Sequence, residues 1–216
     1  MLSSAENEGI ALSIETAIAG GSMSLIRGSE LVAGTAGGDS VSRAEDLLLR
    51  IDDLLKANCV ERFELSSISV SSGPGSFTGL RIGLATAMGL STGLGIPCKG
   101  VPLFDAIAEG SESSLVIVVP LGKADLCFRY YENGKAKGDF VVGDITTVGS
   151  LLQETAPERI AHHPDVDVSQ FVETGSSTSA LVDLGPNLSE YIGKYAAAND
   201  VAGSLEPIYV RNPLFA

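Results

Sequence analysis

Tryptophan is absent from this chain, histidine occurs twice and cysteine three times. Each scarcity excludes something. Cys59, Cys98 and Cys127 are odd in number, far apart and without a C-x-x-C pair. That argues against a disulfide framework or a cysteine zinc site and predicts reduced thiols in a cytoplasmic protein. His162 and His163 are adjacent, poorly placed to chelate one ion together from a strand, and there is no H-E-x-x-H. Metalloprotease or metal-dependent transferase chemistry needs convergent His and carboxylate ligands, so it is unsupported. Positive charge is scarce as well: 14 Lys and Arg stand against 27 Asp and Glu, a formal charge of −13. A phosphate backbone is gripped by basic surface, so the chain alone is a poor nucleic-acid binder. Its acidity favours solubility and suits docking to a basic partner. The longest bulky apolar run, Leu115 to Val119, is too short to cross a bilayer. The opening MLSSAENEG is polar and acidic, unlike a signal peptide. The expectation is a soluble, cytoplasmic protein that does not engage a membrane.

What the chain does hold is glycine, 25 residues of it, and 44% hydrophobic residues in a length of 216. That is enough for a real core in one large domain or two small ones. The chain is organised around Ser71–Leu94, SSGPGSFTGLRIGLATAMGLSTGL. Ile68 to Val70 reads as a strand end, Gly73, Pro74, Gly75 and Gly79 as a loop, and Leu80 to about Thr92 as a helix. Arg81 is the one charge of that helix, which is otherwise apolar or small all round. Such a helix is buried or meets another helix closely. Gly79, Gly83, Ala87 and Ser91 recur every four residues, a face that lets a neighbour's backbone come near. A cation in the first turn opposes the helix dipole by about 0.3–1 kcal/mol, so Arg81 needs a carboxylate or another partner. The glycine loop has two readings: a structural turn, or an anion site formed by its free N–H groups. It is not a P-loop, because no Gly-Lys-Ser/Thr follows, nor a nucleophile elbow, because Phe77 takes the central place in Gly75–Gly79.

Ile10–Ile14, Met23–Ile26 and Glu30–Ala33 read as three short strands in an antiparallel meander. Residues 42–57 take helical period, with a capping box from Ser42 to Glu45. Leu47, Leu48, Ile51, Leu54 and Leu55 line one stripe, and Leu48 or Leu49 is surplus to a core face. A strand about Cys98–Val101 completes the order of a ribonuclease-H-like half domain. Helix Leu103–Glu109 then connects to strands Leu115–Val119, Leu126–Tyr131 and Asp139–Val142, with Asn133-Gly134 as a hairpin turn. A short helix Thr147–Glu154, a strand Arg159–His162, a helix Leu188–Ala198 and an extended tail from Leu205 follow. The second unit repeats the β-rich opening in abbreviated form, and the expected division is 1–102 and 103–216.

Gly73 to Leu90, GPGSFTGLRIGLATAMGL, resembles the signature of the bacterial TsaB (YeaZ) family of tRNA threonylcarbamoyladenosine biosynthesis proteins, nearly unbroken over eighteen residues. The opening ALSIETAIAGGSMSL resembles the family's first strand and turn, with Glu15 where Asp is usual. RAEDLLLRIDDLL resembles its first helix, with Ser42-Arg43 in place of a frequent His-Ser. LEPIYVRNPLF resembles its closing Pro-x-Tyr-x-Arg segment through Pro207, Tyr209 and Arg211. Ser111–Lys137 fits poorly, with Pro120-Leu121-Gly122-Lys123 where an Asp-Ala-Arg strand exit is common. The resemblance implies an α/β fold of actin/Hsp70-like ATPase architecture, two ribonuclease-H-like halves with the second reduced. It implies a non-catalytic platform paired with a TsaD-type subunit that carries the metal and nucleotide site. A TsaE-type ATPase and tRNA join only through that complex. The first two helices of the family form both a homodimer and the TsaD contact. Here that maps onto Leu48, Ile51 and Leu55, and onto Arg81, Ile82, Gly83, Thr86, Ala87 and Leu90. Gly83→Leu or Ala87→Arg is then expected to disrupt association more than folding.

Two enzyme readings compete. A small Mg-ATP-dependent ATPase or phosphotransferase would use Glu15 with Gly73, Gly75 and Ser76. Glu15-Thr16 stands where an active ATPase of this architecture keeps its phosphate-and-metal loop, although Glu carries its carboxylate about one bond further out than Asp. The favoured expectation is a solvated strand-end carboxylate at Glu15, paired with Arg81 or Lys99, and a loop that is at most a vestigial phosphate site. ATP and Mg then enter only weakly or within the complex. A peptide hydrolase built on Ser76 or Ser72 lacks a placed histidine. No catalytic residue and no metal ligand is assigned.

Overall fold

The computed structural model describes residues 9–37, 44–122, 125–169, 171, 179–199 and 204–210. β1 (Ile10–Glu15), β2 (Ser22–Arg27) and β3 (Glu30–Ala36) form the antiparallel meander. α1 (Ala44–Ala57) and a short 3-10 turn (Arg62–Glu64) lead to β4 (Leu65–Gly73), which lies parallel to β1. α2 (Phe77–Leu94) then leads to β5 (Cys98–Pro102), and the first sheet runs β3-β2-β1-β4-β5. α3 (Leu103–Ala108) enters the second unit: β6 (Ser114–Pro120), β7 (Leu126–Glu132), β8 (Lys135–Gly143), α4 (Ile145–Thr155), β9 (Arg159–His162), β10 (Ala180–Asp183) and α5 (Ser189–Ala198). Asn133 and Gly134, at φ 48° and 70°, make the tight turn that their sequence demands between β7 and β8. The second sheet runs β10-β9-β6-β7-β8, the order of the first sheet repeated. This duplicated order is the actin/Hsp70-like pair of ribonuclease-H-like units. β9 and β10 have four residues each, against nine and five in β4 and β5. So short a strand as β10 carries little periodicity, and the sequence reading has no strand there. The Ser42 cap, the Glu45 side chain, Arg43, Lys123 and Arg211 lie outside the described residues.

Alternation along the strands decides what each sheet face meets. Ile10, Leu12 and Ile14 of β1, with Leu25, Ile68 and Val70, bury against Leu47, Ile51, Leu54 and Leu55 of α1 and Leu84 and Ala87 of α2. The opposite face is small and polar, with Ser13, Ser22, Ser24 and Ser69 buried. There α5 lies close. Ser189 N donates to Ser22 Oγ at 2.9 Å, the hydroxyls of Ser24 and Ser189 are 2.8 Å apart, and Ser69 Oγ donates to Ser13 Oγ at 2.9 Å. A Cβ at Gly193 would run into Ser13 and Ile26. Leu103, Phe104, Ala106 and Ala108 of α3 join Leu115, Ile117 and Val119 of β6, and Leu188 and Ile192, in one cluster. α3, at the junction of the two units, and the last helix, α5, thus meet in one core. The other side of β6, Val116 and Val118, packs with Phe128 on Val148 and Leu152 of α4. Among the described residues no helix is long and apolar enough to cross a membrane.

Candidate functional site

α2 begins where Ser76 Oγ accepts from Gly79 N at 3.1 Å and ends at Gly95, whose φ of 68° suits glycine. Its two faces differ. On the inner face Gly79, Leu80, Gly83, Leu84 and Ala87 are buried. Thr16 Oγ1 donates to Gly79 O at 2.8 Å, and a Cβ at Gly79 or Gly83 would collide with Thr16. The stripe of small residues therefore serves a contact within the chain. Reading it as a partner's face is corrected: Gly83 and Ala87, and Ile51 and Leu55 on α1, are committed to the chain's own packing. On the outer face Arg81, Ala85, Met88, Gly89, Thr92 and Gly93 are exposed, with Ile82, Thr86 and Leu90 half-buried beside them. A Cβ at Gly89 or Gly93 would meet nothing within 4 Å. A helix expected to be enclosed is thus open along half its circumference.

Between α1 and α2 runs a groove of about 390 Å³ lined by Leu48, Ile51, Leu55, Gly89, Leu90 and Gly93. Asp52 on its wall is paired with Lys56 and Arg62, which hold its carboxyl below the usual range, Arg62 the more strongly. Leu48 is 54% exposed, Leu49 61% and Met88 49%. Both leucines at the surplus position stand outside the core. Phe63, on the 3-10 turn next to Arg62, is 82% exposed, and its sequence context carries no signal for that.

Arg81 meets aromatic rings rather than a carboxylate. Its guanidinium lies 3.8 Å from the centroid of the Phe77 ring, and Nε donates to Tyr209 Oη at 3.2 Å. The Tyr209 and Phe77 rings are 4.9 Å apart. Tyr209 arrives on the tail, which Ile208 N fastens to Ser72 O at 2.7 Å. Gly73 makes room for that tail: its φ is 112°, and a Cβ would come within 2.8 Å of Ile208 O.

Glu15 is 1% exposed, and its carboxylate accepts from Ala17 N at 2.6 Å and Ile18 N at 3.1 Å. Burial pushes its pKa up to about 7 against the opposing pull of those N–H groups. The expected solvated carboxylate, paired with Arg81 or Lys99, is corrected. The chain turns back after β1 and uses Glu15 to satisfy its own backbone, while Lys99 Nζ faces the Ala196 and Asn199 carbonyls at 3.5 Å. The glycine loop is closed too. Gly73 N donates to Ser71 Oγ at 3.2 Å, Ser76 N to Ala17 O at 3.0 Å, and Gly75 packs on Ala17. Two of the N–H groups that would cradle a phosphate, those of Gly73 and Ser76, are thus engaged within the chain, which argues against a phosphate site built on Gly73, Gly75, Ser76 and Glu15. A cleft of about 750 Å³ does open beside Thr16, Ser76 and Gly79. Its wall carries Asp125, Asp144, Asp165 and Asp167 and, among the described lining residues, no Lys or Arg. An anionic nucleotide would meet four carboxylates there. His162 and His163 are buried, and His163 Nδ1 accepts from Asp165 N at 3.1 Å. Among the described residues no three His, Cys, Asp or Glu side chains gather as a metal site.

The family model described as TsaD, tRNA N6-adenosine threonylcarbamoyltransferase, matches residues 40–212. The chain belongs to this family. Its relatives put it on the TsaB (YeaZ) side. The tRNA threonylcarbamoyladenosine biosynthesis protein TsaB of Escherichia coli K12 is 34% identical over 147 residues, 64% of this chain and 59% of that one. The uncharacterized protein ML0378 of Mycobacterium leprae is 33% identical over 119 residues, 54% of this chain, which spans 32% of that protein's length. The solved structure of YeaZ from Pseudomonas aeruginosa is similar with a TM-score of 0.66, at 19% identity, over 94% of this chain and 100% of that one. At that identity the likeness is one of fold. The TsaB signature at Gly73–Leu90 thus builds a capped helix start, an inner face for the β1 turn and an open outer face.

Proposed function

We propose that this TsaB-family chain is a non-catalytic platform in tRNA N6-threonylcarbamoyladenosine synthesis, seating a TsaD-type catalytic subunit on α1 and α2. The half-open α2 carries the reading: eighteen residues with a single charge, an outer face in water, and an apolar groove beside it. Contiguous apolar surface of this kind marks an interaction site. At 1.5 Å per residue α2 is about 27 Å long, ample for one side of a standard interface. Leu48, Leu49 and Met88 supply apolar anchors, and Gly89 and Gly93 let a partner helix approach. Leu48, Arg81, Ile82, Thr86 and Leu90 remain on the proposed face. Ile51, Leu55, Gly83 and Ala87 support it from within. The reading assigns nucleotide, metal and catalysis to the partner, and it brings the TsaE-type ATPase and tRNA in through the complex, in the cytoplasm. The net charge of −13 supports that division, since tRNA needs basic surface.

Light scattering after size-exclusion chromatography tests it, with the full chain alone and mixed with the TsaD-type protein of the same organism. A stoichiometric complex at about 10 μM is expected. Self-association through the same face would appear as a dimer that the TsaD-type protein takes apart. No complex at that concentration removes the reading.

A further inference from the structure

Arg81 is the single charge on α2 and its fifth residue, just past the first turn. Acidic residues outnumber basic ones 27 to 14, yet among the described residues none pairs with it. Two aromatic residues fix it instead. Phe77 underlies the guanidinium at 3.8 Å, and Tyr209 Oη accepts the Nε–H at 3.2 Å. Tyr209 is in turn held by the Ile208–Ser72 bond and by its ring contact with Phe77. A guanidinium has five N–H donors. This arrangement uses one and leaves the Nη edge, at an exposed position, without a partner among the described residues.

A planar fork that is stacked, oriented and open along its outer edge is built to receive a carboxylate through two parallel bonds. We propose that Arg81, oriented by Phe77 and Tyr209, is a carboxylate-recognition point that takes an Asp or Glu side chain of the TsaD-type partner on the outer face of α2. The inference rests on the platform reading and names the charge that the partner brings. A phosphate would also suit the fork. However, a chain at −13 offers little further basic surface to hold a nucleic acid, whereas the uncharged helix around Arg81 suits a protein.

Titration calorimetry of the full chain against the purified TsaD-type protein, at about 50 and about 300 mM NaCl, tests the proposal. Arg81→Gln is expected to weaken association by about tenfold to a hundredfold. Arg81→Lys recovers only part of that, because an ammonium keeps the charge and loses the fork. Tyr209→Phe, which leaves the charge unchanged, weakens it by about threefold. Affinity of the unaltered chain falls more steeply with salt than that of Arg81→Gln, and all melting temperatures stay within about 3 °C. If the unaltered chain binds and Arg81→Gln binds equally well, the carboxylate proposal is overturned and the platform reading stands. If no complex forms at all, both fall. If Arg81→Gln spares the protein complex but abolishes its binding of purified tRNA, the acceptor is a phosphate and the proposal is overturned.

Discussion

Two pairs of glycines share α2 and do opposite things. Gly79 and Gly83 are closed in by Thr16, while Gly89 and Gly93 face open space. The inner pair lets the turn after β1 lie directly on the helix, with the Thr16 hydroxyl reaching the Gly79 carbonyl. The outer pair leaves a smooth strip that nothing among the described residues covers. Small residues at a spacing of four announce that something comes close. They do not say whether it is the chain itself or another molecule. That is settled by what the rest of the fold brings to each face.

The comparison breaks most visibly at Gly83. Gly83→Leu has no room, because its side chain would displace Thr16 and with it the bond to Gly79. A loss of about 3 kcal/mol or more is expected, read as a lower urea midpoint or as failure to obtain folded protein. This reverses the expectation drawn from sequence, that the residue acts on association. A Gly83→Leu variant with the parent's midpoint would mean that the inner face is not packed as described.

Glu15 sharpens the same side, because its carboxylate holds the turn that Thr16 belongs to. Its folded-state pKa of about 7 lies above the ordinary 4.5, so the folded chain keeps a proton that the unfolded chain has released between those values. That stability is fully present below about pH 4.5 and is lost as pH rises through about 7, to the extent of about 3 kcal/mol. Glu15→Gln keeps an oxygen for the Ala17 and Ile18 N–H groups and cannot ionise. Its stability relative to the parent is expected to rise from near zero at about pH 4.5 to about 2–3 kcal/mol at about pH 8, measured by urea unfolding. A difference flat with pH would mean that water reaches the carboxylate and the inner turn is open.

Local chemistry made much of this legible. Asn133-Gly134 and the leucine stripe of α1 act on their own neighbours, so their roles follow from spacing. The apolar-small alternation of β1, β2 and β4 is equally plain, but nothing local says that α5 lies on the serine face, 165 residues from Ser24. The Arg81–Tyr209 pair spans 128 residues. For Arg81 the sequence showed the need for a partner and not its identity. For Glu15 it misjudged the environment, because a carboxylate at a strand end is ordinarily solvated. Here the next two residues fold back to donate to it. That both Leu48 and Leu49 of α1 stand outside the core depends on what the rest of the fold brings to the helix, and that too is a long-range fact.

The smallest effect separates the two glycine pairs most cleanly. Gly89 has open space where its Cβ would be, so Gly89→Ala loses no contact and removes the entropic penalty of glycine in a helix. A gain of about 1 kcal/mol is expected, seen as a rise of about 2–4 °C in melting temperature. Gly89→Arg should fold equally well while laying a long cation across the groove between Leu48 and Leu90, and it should weaken the TsaD-type complex by at least about tenfold. At Gly83 an added side chain costs the fold. At Gly89 it costs only the partner. If Gly89→Arg kept full affinity, the open side of α2 would not be the seat of the partner, and the exposure of Leu48, Leu49 and Met88 would need a different occupant.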